Sequence, residues 1–600
     1  MIEQLAVNPG HFASSMGAVE IAVALHYVFD TPRDRIVWDV GHQAYAHKIL
    51  TGRREAFSTL RKRGGISGFP NPAESPYDAF IAGHASNSIS AALGIALASA
   101  IKGEKRRNVI AVIGDASIAG GLAFEGLNNA ALSRNNLLII LNDNDMAIDE
   151  PTGSLNRYMT RINTSPGYNA LRYSVYNSLK RLHLINERQR GKVLRFNNSL
   201  KSLLGNHQNI FEGLNVRYFG PFDGNDVTKL CKILDDIKDM DGPRILHVRT
   251  RKGKGYAPAE ADPTTWHAPG MFDPATGQIL KRDYPTPQPP KYQDVAGQTL
   301  TELAAADDRI VGITAAMATG TSLTFMLERF PERAFDVGIS EGHAVTFAAG
   351  LAREGMRPYC CIYSTFLQRA YDNIIHDVAL QRLPVTFCID RGGLVGADGA
   401  THQGVFDLAY LRLIPNMIIA APSDEPMLRN LMYTSSSADY GPFAIRYPRG
   451  RGVTPDWRTE LRALPIGKGV KVADGSGIAV LSIGTVLHDA AAAIERARAT
   501  DGISAALYDM IFLKPIDEEL LREVAQSYHT IITVEDGTVN GGLGSAVAEW
   551  LTGHHSPARL ISLGVPDRFI AHAKVNEQKA ECGIDADTIY NTIIANSNKQ

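Results

Sequence analysis

Cysteine is scarce in this sequence, and neither sign of charge is in excess. The five cysteines are odd in number and form no CxxC pair, which favours free thiols in a reducing compartment over a disulfide framework or a zinc site. Lysine and arginine total 61 against 63 aspartate and glutamate residues, for a formal net charge of −2. The sequence therefore predicts no overall attraction to nucleic acid or acidic membranes, and any anionic ligand needs a local site.

Long hydrophobic runs are also absent. One uncharged stretch, 85–101, includes serine and asparagine and is shorter than the roughly 20 residues that cross a bilayer, so we expect a core helix there. The first residues, MIEQLAVNPGHF, carry an acidic side chain where an export signal needs basic ones, and no apolar stretch follows. We therefore expect a cytoplasmic location.

The sequence does contain the composition and patterning of a folded α/β protein. Apolar residues make up 44% and charged residues 21% of the chain, which is ordinary for a globular protein. Short apolar runs alternate with helical stretches such as LHDAAAAIERARA, which predicts doubly wound, mostly parallel sheets with helices on both faces. The runs are NVIAVIGD, NLLIILND, PRILHVRT, RIVGIT, PYCCIYS, PVTFCID, MIIAAPSD, GIAVLSIG, SAALYDM and HTIITVED.

Two loop-like stretches predict the domain boundaries. The proline-rich DYPTPQPPKYQD, 283–294, cannot continue a helix or a central strand and reads as a linker. The stretch RYPRGRGVTPDWRTELRALPIG, 446–467, precedes a fresh strand. Because one hydrophobic core stops growing near ~250–300 residues, 600 residues favour several domains. We expect three: 1–283, 284–457 and 458–600.

A variable insertion is predicted at 151–215, inside the first domain. It is rich in asparagine, serine and arginine and includes a basic run at 180–201. A nucleic-acid-binding arm is one interpretation of that run, but lysine and arginine scattered along a helix are more often a solvated face.

Polar side chains follow two of the buried strands and suggest a cation site. Asp115 ends the strand in VIGDASIAGG, and Asn144 follows the strand in ILNDNDMAI, about one strand–helix–strand unit later. Strand ends of a parallel sheet share one edge, and Mg²⁺ prefers such oxygen ligands together with phosphate oxygens. The alternative is that Asp115 caps a helix and Asn144 a turn. A Rossmann dinucleotide site is disfavoured because there is no GxGxxG.

This spacing is similar to the signature of thiamine-diphosphate enzymes, Gly-Asp-Gly followed by a distant Asn, except that Ala116 replaces the second glycine. Four longer stretches resemble the 1-deoxy-D-xylulose-5-phosphate synthase family, which is transketolase-like: HFASSMG, WDVGHQAYAHKILTGR, YSTFLQRAYDN and DRGGLVGADGATHQGVFDLAYLR. The resemblance implies decarboxylating transfer from pyruvate to D-glyceraldehyde 3-phosphate, giving 1-deoxy-D-xylulose 5-phosphate and CO₂ at the start of the non-mevalonate isoprenoid route. It also implies a homodimer.

The resemblance assigns the cofactor and metal residues. Asp115, Asn144 and the main-chain carbonyl of Met146 are implied as Mg²⁺ ligands. Thiamine diphosphate is implied to contact His42, Gly83, Ala85, Ala116, Lys252, His267 and Phe366.

The resemblance also assigns the catalytic and substrate residues. Glu341, in FDVGISEGHAVTF, matches the carboxyl that meets N1′ of the aminopyrimidine ring; taken alone, it would be an ordinary helix N-terminal carboxylate. His11, Asp398 and His402 are the other implied catalytic groups, His11 for proton transfer at the reacting oxygen and the other two near sugar hydroxyls. Substrate binding, including the phosphate, is implied for Tyr363, Arg391 and Arg449.

Two other functions compete with this interpretation. A transketolase shares the cofactor and the glutamate but transfers a two-carbon ketol unit without releasing CO₂. A catalytically silent member would bind the cofactor as a scaffold, which the joint presence of Asp115, Asn144, Glu341 and Phe366 argues against. Gly342, where glutamine is common in the family, alters the packing beside Glu341 but leaves the carboxyl in place.

Overall fold

The computed structural model describes residues 1–104, 106–132, 135–144, 210–280, 284 and 286–597. The chain forms two compact units: Met1–Leu60 with Ile66–Leu280, and Arg61–Gly65 with Lys281–Gln600. The basic run at 180–201 and most of the predicted insertion lie outside the described residues.

The first unit contains a five-stranded sheet. Its strands are β1 (Arg35–Trp38), β2 (Val109–Gly114), β3 (Leu137–Asp143), β4 (Arg217–Asp223) and β5 (Arg244–Arg249). They lie in the order β1-β2-β3-β5-β4, with every pair parallel. β2 and β3 are apolar and almost wholly buried, because helices cover both faces of the sheet.

The helices of the first unit surround this sheet. They are α1 (Ile2–Val7), α2 (Phe12–Gly17), α3 (Val19–Val28), α4 (Tyr45–Lys48), α5 (Ser88–Ile101), α6 (Asp115–Ile118), α7 (Gly121–Ala130), α8 (Ile210–Gly213), α9 (Val227–Lys238) and α10 (Ala257–Ala261), with short 3₁₀ or π turns at Ile49–Arg53, Ala56–Thr59 and Thr265–His267.

The second unit contains two sheets, in the orders β15-β10-β11-β9-β8-β6-β7 and β12-β14-β13-β16-β17. All pairs are parallel except β10 with β15 and β12 with β14. The strands are β6 (Ile310–Thr314), β7 (Ala334–Asp336), β8 (Arg357–Tyr363), β9 (Thr386–Gly392), β10 (Ile418–Ala420), β11 (Phe443–Pro448), β12 (Val470–Ala473), β13 (Ile478–Ser482), β14 (Ala506–Asp509), β15 (Phe512–Lys514), β16 (Thr530–Thr538) and β17 (Arg559–Val565).

Helices again cover both faces of these sheets. They are α11 (Tyr292–Ala306), α12 (Thr324–Arg329), α13 (Glu341–Arg353), α14 (Ser364–Leu367), α15 (Tyr371–Asn373), α16 (Asp407–Arg412), α17 (Glu425–Ser437), α18 (Leu487–Asp501), α19 (Glu518–Ser527), α20 (Leu543–Gly553), α21 (Val575–Cys582) and α22 (Ala586–Ser597), with 3₁₀ or π turns at Pro331–Arg333, Gln368–Ala370, Ile374–Ala379, Gly399–Thr401 and Gly484–Val486.

The predicted α/β class with mostly parallel sheets is confirmed, and each of the ten apolar runs contains a strand. The expected core helix is α5, and all five cysteines are free. Within the described ranges, no helix is both long and apolar enough to span a bilayer.

Both predicted loop-like stretches overlap a regular element at one end. The stretch 283–294 already turns into α11 at Tyr292, and 446–467 begins inside β11, which ends at Pro448. The division into three domains stays a prediction.

Candidate active site

Parallel pairing brings the ends of β2 and β3 to one edge of the first sheet. Gly114, the last residue of β2, lies opposite Asn142 near the end of β3. Asp115 and Asn144 follow these strand ends, as the sequence predicted. Asp115 is 4% exposed and begins α6, whose N-cap is Gly114 rather than Asp115. Asp115 therefore stands in the first turn of α6.

Asn144 offers an oxygen that no residue in the described ranges binds. Its Oδ1 is buried without a hydrogen-bond partner among the described residues, and an orphaned buried acceptor is costly unless a ligand completes it. A hard cation bound between the two strand ends fits that oxygen. Met146, the third implied ligand, lies outside the described residues.

Three of the predicted histidines lie together in the first unit. The ring of His11 is 6.1 Å from that of His42 and 5.7 Å from that of His267, between centroids, and the last two rings are 5.9 Å apart. Burial and the charge of Lys252 lower the pKa of His42 to about 4 and that of His267 well below its ordinary value. Nδ1 of His42 is buried and has no partner in the described part of the chain. The cluster therefore offers two neutral imidazoles, those of His42 and His267, beside the buried ammonium of Lys252.

Asp39 holds the loop that contains Gly83 and Ala85. Its carboxylate accepts hydrogen bonds from the backbone N–H groups of Ser86, at 2.9 Å, and Ser88, at 3.1 Å. Ser86 has a φ of +70°, and its hydroxyl donates to the main-chain oxygen of Ser117 at 2.7 Å. This bond ties the loop to α6, which contains Asp115 and Ala116.

In the second unit, Glu341 is the first residue of α13 and only 6% exposed. Burial raises the pKa of Glu341, against the opposing effect of Arg369, whose Nη1 lies 3.8 Å from the carboxylate. A carboxyl with a raised pKa retains a proton more readily and can exchange it with a bound base. A Cβ added to Gly342 would lie 3.0 Å from Oδ1 of Asn373, so a larger residue there requires a small shift.

Tyr363, Phe366, Arg391 and His402 form one aromatic and cationic group. The Phe366 ring stacks on Tyr363, with centroids 5.6 Å apart, and meets His402 edge-on at 5.7 Å. The Arg391 guanidinium lies 4.1 Å from the centre of the Tyr363 ring. Nη1 of Arg391 also donates to Oε1 of Gln293 and to the main-chain oxygen of Gly320, both at 2.9 Å. This arginine is therefore held in one orientation.

Asp398 lies between two arginines. Its Oδ1 accepts a hydrogen bond from Nη2 of Arg61 at 2.6 Å, and its Oδ2 accepts one from Nη1 of Arg449 at 3.2 Å. The Arg449 side chain is 44% exposed, so it remains accessible to solvent. The structure thus places Asp398 with Arg449 and adds Arg61, which the sequence analysis did not select.

Asp39, Arg61 and Arg369 were missed by the sequence analysis. Asp39 carries a detectable signal, because it ends an apolar run in RIVWDV much as Asp115 does in VIGD. Arg369 lies three residues after Phe366 inside a quoted motif, but nothing local connects it to Glu341. Arg61 carries no signal beyond a basic stretch, since its partner is 337 residues away.

Three family models match successive parts of the chain. A model described as "1-deoxy-D-xylulose-5-phosphate synthase" matches residues 1–250. The pyrimidine binding domain of transketolase matches 288–453, and the transketolase C-terminal domain matches 467–589.

Curated relatives named 1-deoxy-D-xylulose-5-phosphate synthase match almost the whole chain. The protein of Parabacteroides distasonis is 61% identical over 98% of this chain and 93% of the relative. That of Bacteroides fragilis is 58% identical over 99% of this chain and 92% of the relative. That of Porphyromonas gingivalis is 59% identical over 98% of this chain and 92% of the relative. With this identity over nearly its full length, the chain belongs to the 1-deoxy-D-xylulose-5-phosphate synthase family.

Proposed function

We propose that this chain joins pyruvate to D-glyceraldehyde 3-phosphate with loss of CO₂, giving 1-deoxy-D-xylulose 5-phosphate. The observation that carries the proposal is Glu341, a buried carboxyl with a raised pKa at the start of α13, in a chain of this family. When bound, thiamine diphosphate supplies the carbon nucleophile and the electron sink that such a decarboxylation needs.

The first unit provides the groups that would hold the cofactor. Asp115, Asn144 and the carbonyl of Met146 would bind Mg²⁺. The buried Oδ1 of Asn144, which lacks a hydrogen-bond partner among the residues that the structure describes, supports this assignment. The diphosphate would lie against Lys252 and the two imidazoles that burial keeps neutral, His42 and His267. Backbone groups at Gly83, Ala85 and Ala116 would line the same site.

Glu341 and Phe366 would provide the proton control and the ring contact. Glu341 would hold a proton against N1′ of the aminopyrimidine ring, and its raised pKa favours the protonated form that this role needs. Phe366, already stacked on Tyr363, would present its ring to the aminopyrimidine.

Charged groups would bind the phosphate of the acceptor, and hydrogen bonds would orient its hydroxyl groups. Arg391 and Arg449 would grip the acceptor phosphate together with Tyr363, since guanidinium groups match phosphate oxygens. Asp398 and His402 would orient the sugar hydroxyls, and His11 would move a proton at the carbonyl oxygen of pyruvate or the aldehyde.

Product identification tests the proposal. Carboxyl-labelled pyruvate, the triose phosphate, Mg²⁺ and thiamine diphosphate should give labelled CO₂ and 1-deoxy-D-xylulose 5-phosphate in equal amounts. If ketose phosphates donate a two-carbon unit and the triose phosphate stimulates no CO₂ release, the protein is a transketolase and the proposal is wrong.

We also propose a cytoplasmic homodimer built from the three domains predicted above, which the family supports. Sedimentation equilibrium of the purified protein tests the dimer, and a monomeric mass at micromolar concentration would contradict it.

A further inference from the structure

The segment 393–404 contains Asp398 and His402 and forms a closed loop. Gly393 and Gly404 exchange backbone hydrogen bonds of 2.7 and 2.8 Å, which fasten the base of the loop. Within it, the N–H of Gly399 donates to the oxygen of Gly396 at 3.1 Å. This bond defines a turn with Gly396 first and Asp398 third. The position of Asp398 therefore depends on where the Gly396 peptide is held.

Gln578, on α21, holds that peptide from the C-terminal part of the chain. Its side chain is fully buried, at 0% exposed. Oε1 accepts a hydrogen bond from the N–H of Gly396, and Nε2 donates to the Gly396 oxygen, both at 3.0 Å. Nε2 also donates to the oxygen of Ala571 at 2.8 Å. One amide thus pairs with both polar groups of a residue 182 positions away.

No other residue type of similar size can make this set of bonds. An amide accepts at one atom and donates twice at the other, whereas a carboxylate only accepts and a methionine does neither usefully. Gly396 has a φ of +88°, and a Cβ at Gly399 would lie 2.9 Å from the backbone nitrogen of His572. The turn is therefore shaped to fit against the segment that precedes α21.

We propose that Gln578 is a positioning residue of the substrate site: it fixes the Gly396–Gly399 turn and so sets where Asp398 and His402 meet the acceptor. This inference rests on the proposed function and extends it to the C-terminal part of the chain, which holds none of the predicted site residues. Gln578 acts through the loop and does not contact substrate, so its loss affects acceptor use more than cofactor binding.

The test compares Gln578→Met with Lys579→Gln, a matched change at the next position of α21. Lys579 pairs with Asp489 at 2.7 Å and makes no bond to the loop. We expect Gln578→Met to raise KM for the triose phosphate roughly tenfold, as loss of a buried hydrogen-bond partner predicts. The apparent Kd for thiamine diphosphate should stay within about twofold of the wild-type value, and Lys579→Gln should match the wild type in both. If the Kd for thiamine diphosphate rose by the same factor as the KM for the triose phosphate, Gln578 would only support the fold.

A double-mutant cycle with Asp398→Asn identifies the route of the effect. If Gln578 acts by placing Asp398, the free-energy loss calculated from kcat/KM should be smaller in the double variant than the sum of the losses in the two single variants. The reason is that the second change removes a group that is already misplaced. Full additivity would overturn the proposal.

Hydrogen exchange separates failure of this inference from failure of the proposed function. In Gln578→Met, amides of 393–404 should exchange faster than in the wild type, whatever reaction the protein catalyses. Wild-type protein that makes the product, with unchanged loop exchange and acceptor KM in the variant, refutes the role of Gln578 alone. Wild-type protein that makes no product refutes the proposed function, and the exchange measurement then decides the inference by itself.

Discussion

Glu341 illustrates how the surroundings of one residue set its chemistry. The sequence offers an acidic residue at the start of a helix, where the helix dipole favours the ionised form. In the folded unit, burial outweighs the nearby Arg369 and raises the pKa of the carboxyl above its ordinary value near 4.5. Burial therefore makes this carboxyl harder to ionise than the sequence alone suggests.

Glu341→Gln should separate activity from stability. The amide keeps the shape of the side chain but cannot exchange the proton, so we expect turnover to fall by about 10²- to 10⁴-fold. Because the folded-state pKa of Glu341 is raised, ionisation destabilises the folded protein as pH rises above 4.5. The variant should therefore melt no lower than the wild type at pH 8 in differential scanning calorimetry, with retained cofactor binding. A lower melting temperature would contradict the burial argument, and unchanged turnover would remove Glu341 from the mechanism.

Among the helices and strands, a buried chain of polar groups joins α3 to α4. His26, on α3, bonds to His47, on α4, at 2.9 Å, and His47 bonds to Asp78 at 2.9 Å. Arg53 forms two hydrogen bonds with Asp78, at 2.7 and 2.8 Å, while Glu74 accepts from Lys48 and Arg53. Burial lowers the pKa of both histidines, that of His26 to about 4.

This chain should make the first unit sensitive to acid. A histidine whose pKa is lowered in the folded state does not reduce the free energy of unfolding at pH values above its ordinary pKa of 6.5. As pH falls from 6.5 toward 4, the unfolded state binds the proton more readily, so the folded state is destabilised. Urea unfolding at pH 7 and pH 5 should show a smaller drop in the free energy of unfolding for His26→Gln than for the wild type. Equal drops would mean that His26 does not contribute to the pH dependence.

The packing of α11 depends on a glycine. A Cβ at Gly297 would overlap the main-chain oxygen of Ser322 and lie 2.9 Å from its carbonyl carbon. Gly297→Ala should therefore lower the free energy of unfolding by about 1–3 kcal/mol, because the backbone of the neighbouring segment must move.

Gly350→Ala is the matched control, since Gly350 lies within α13 and a Cβ there would contact nothing. It should raise the free energy of unfolding by about 0.5–1 kcal/mol, because alanine loses less conformational freedom in a helix. Urea titrations of both variants measure the difference, and the same sign of change for the two would contradict the contact at Ser322.

For the whole molecule, ligand binding and folding should be coupled. A ligand that binds only the folded state stabilises it by about 2.7 kcal/mol at a hundredfold excess over its Kd. Thiamine diphosphate with Mg²⁺ should therefore raise the melting temperature, and EDTA should reverse the increase. Asp115→Ala should lose this shift while unfolding near the wild-type temperature without ligand. A full Mg²⁺-dependent shift in the variant would exclude Asp115 as a ligand.

The architecture was predictable from the sequence where its cause is local. Runs such as NLLIILND are apolar on both strand faces, and only a strand covered by helices on both sides buries them, so parallel sheets follow. The antiparallel edge strands β12 and β15 were not predictable, because β12 is largely exposed and β15 spans only three residues. The positions of Asp115 and Asn144 followed from the strand ends that precede them.

The sequence by itself determined the fold class, the family and the chemical types of the site residues, because each depends on short motifs and periodic burial. Only the tertiary structure decided the raised pKa of Glu341, the burial of the Asn144 oxygen and the bonds of Gln578 to Gly396. These properties depend on which distant segments exclude water from a group or pair with it. The periodicity of a sequence indicates that a residue is buried but does not indicate which distant residues surround it.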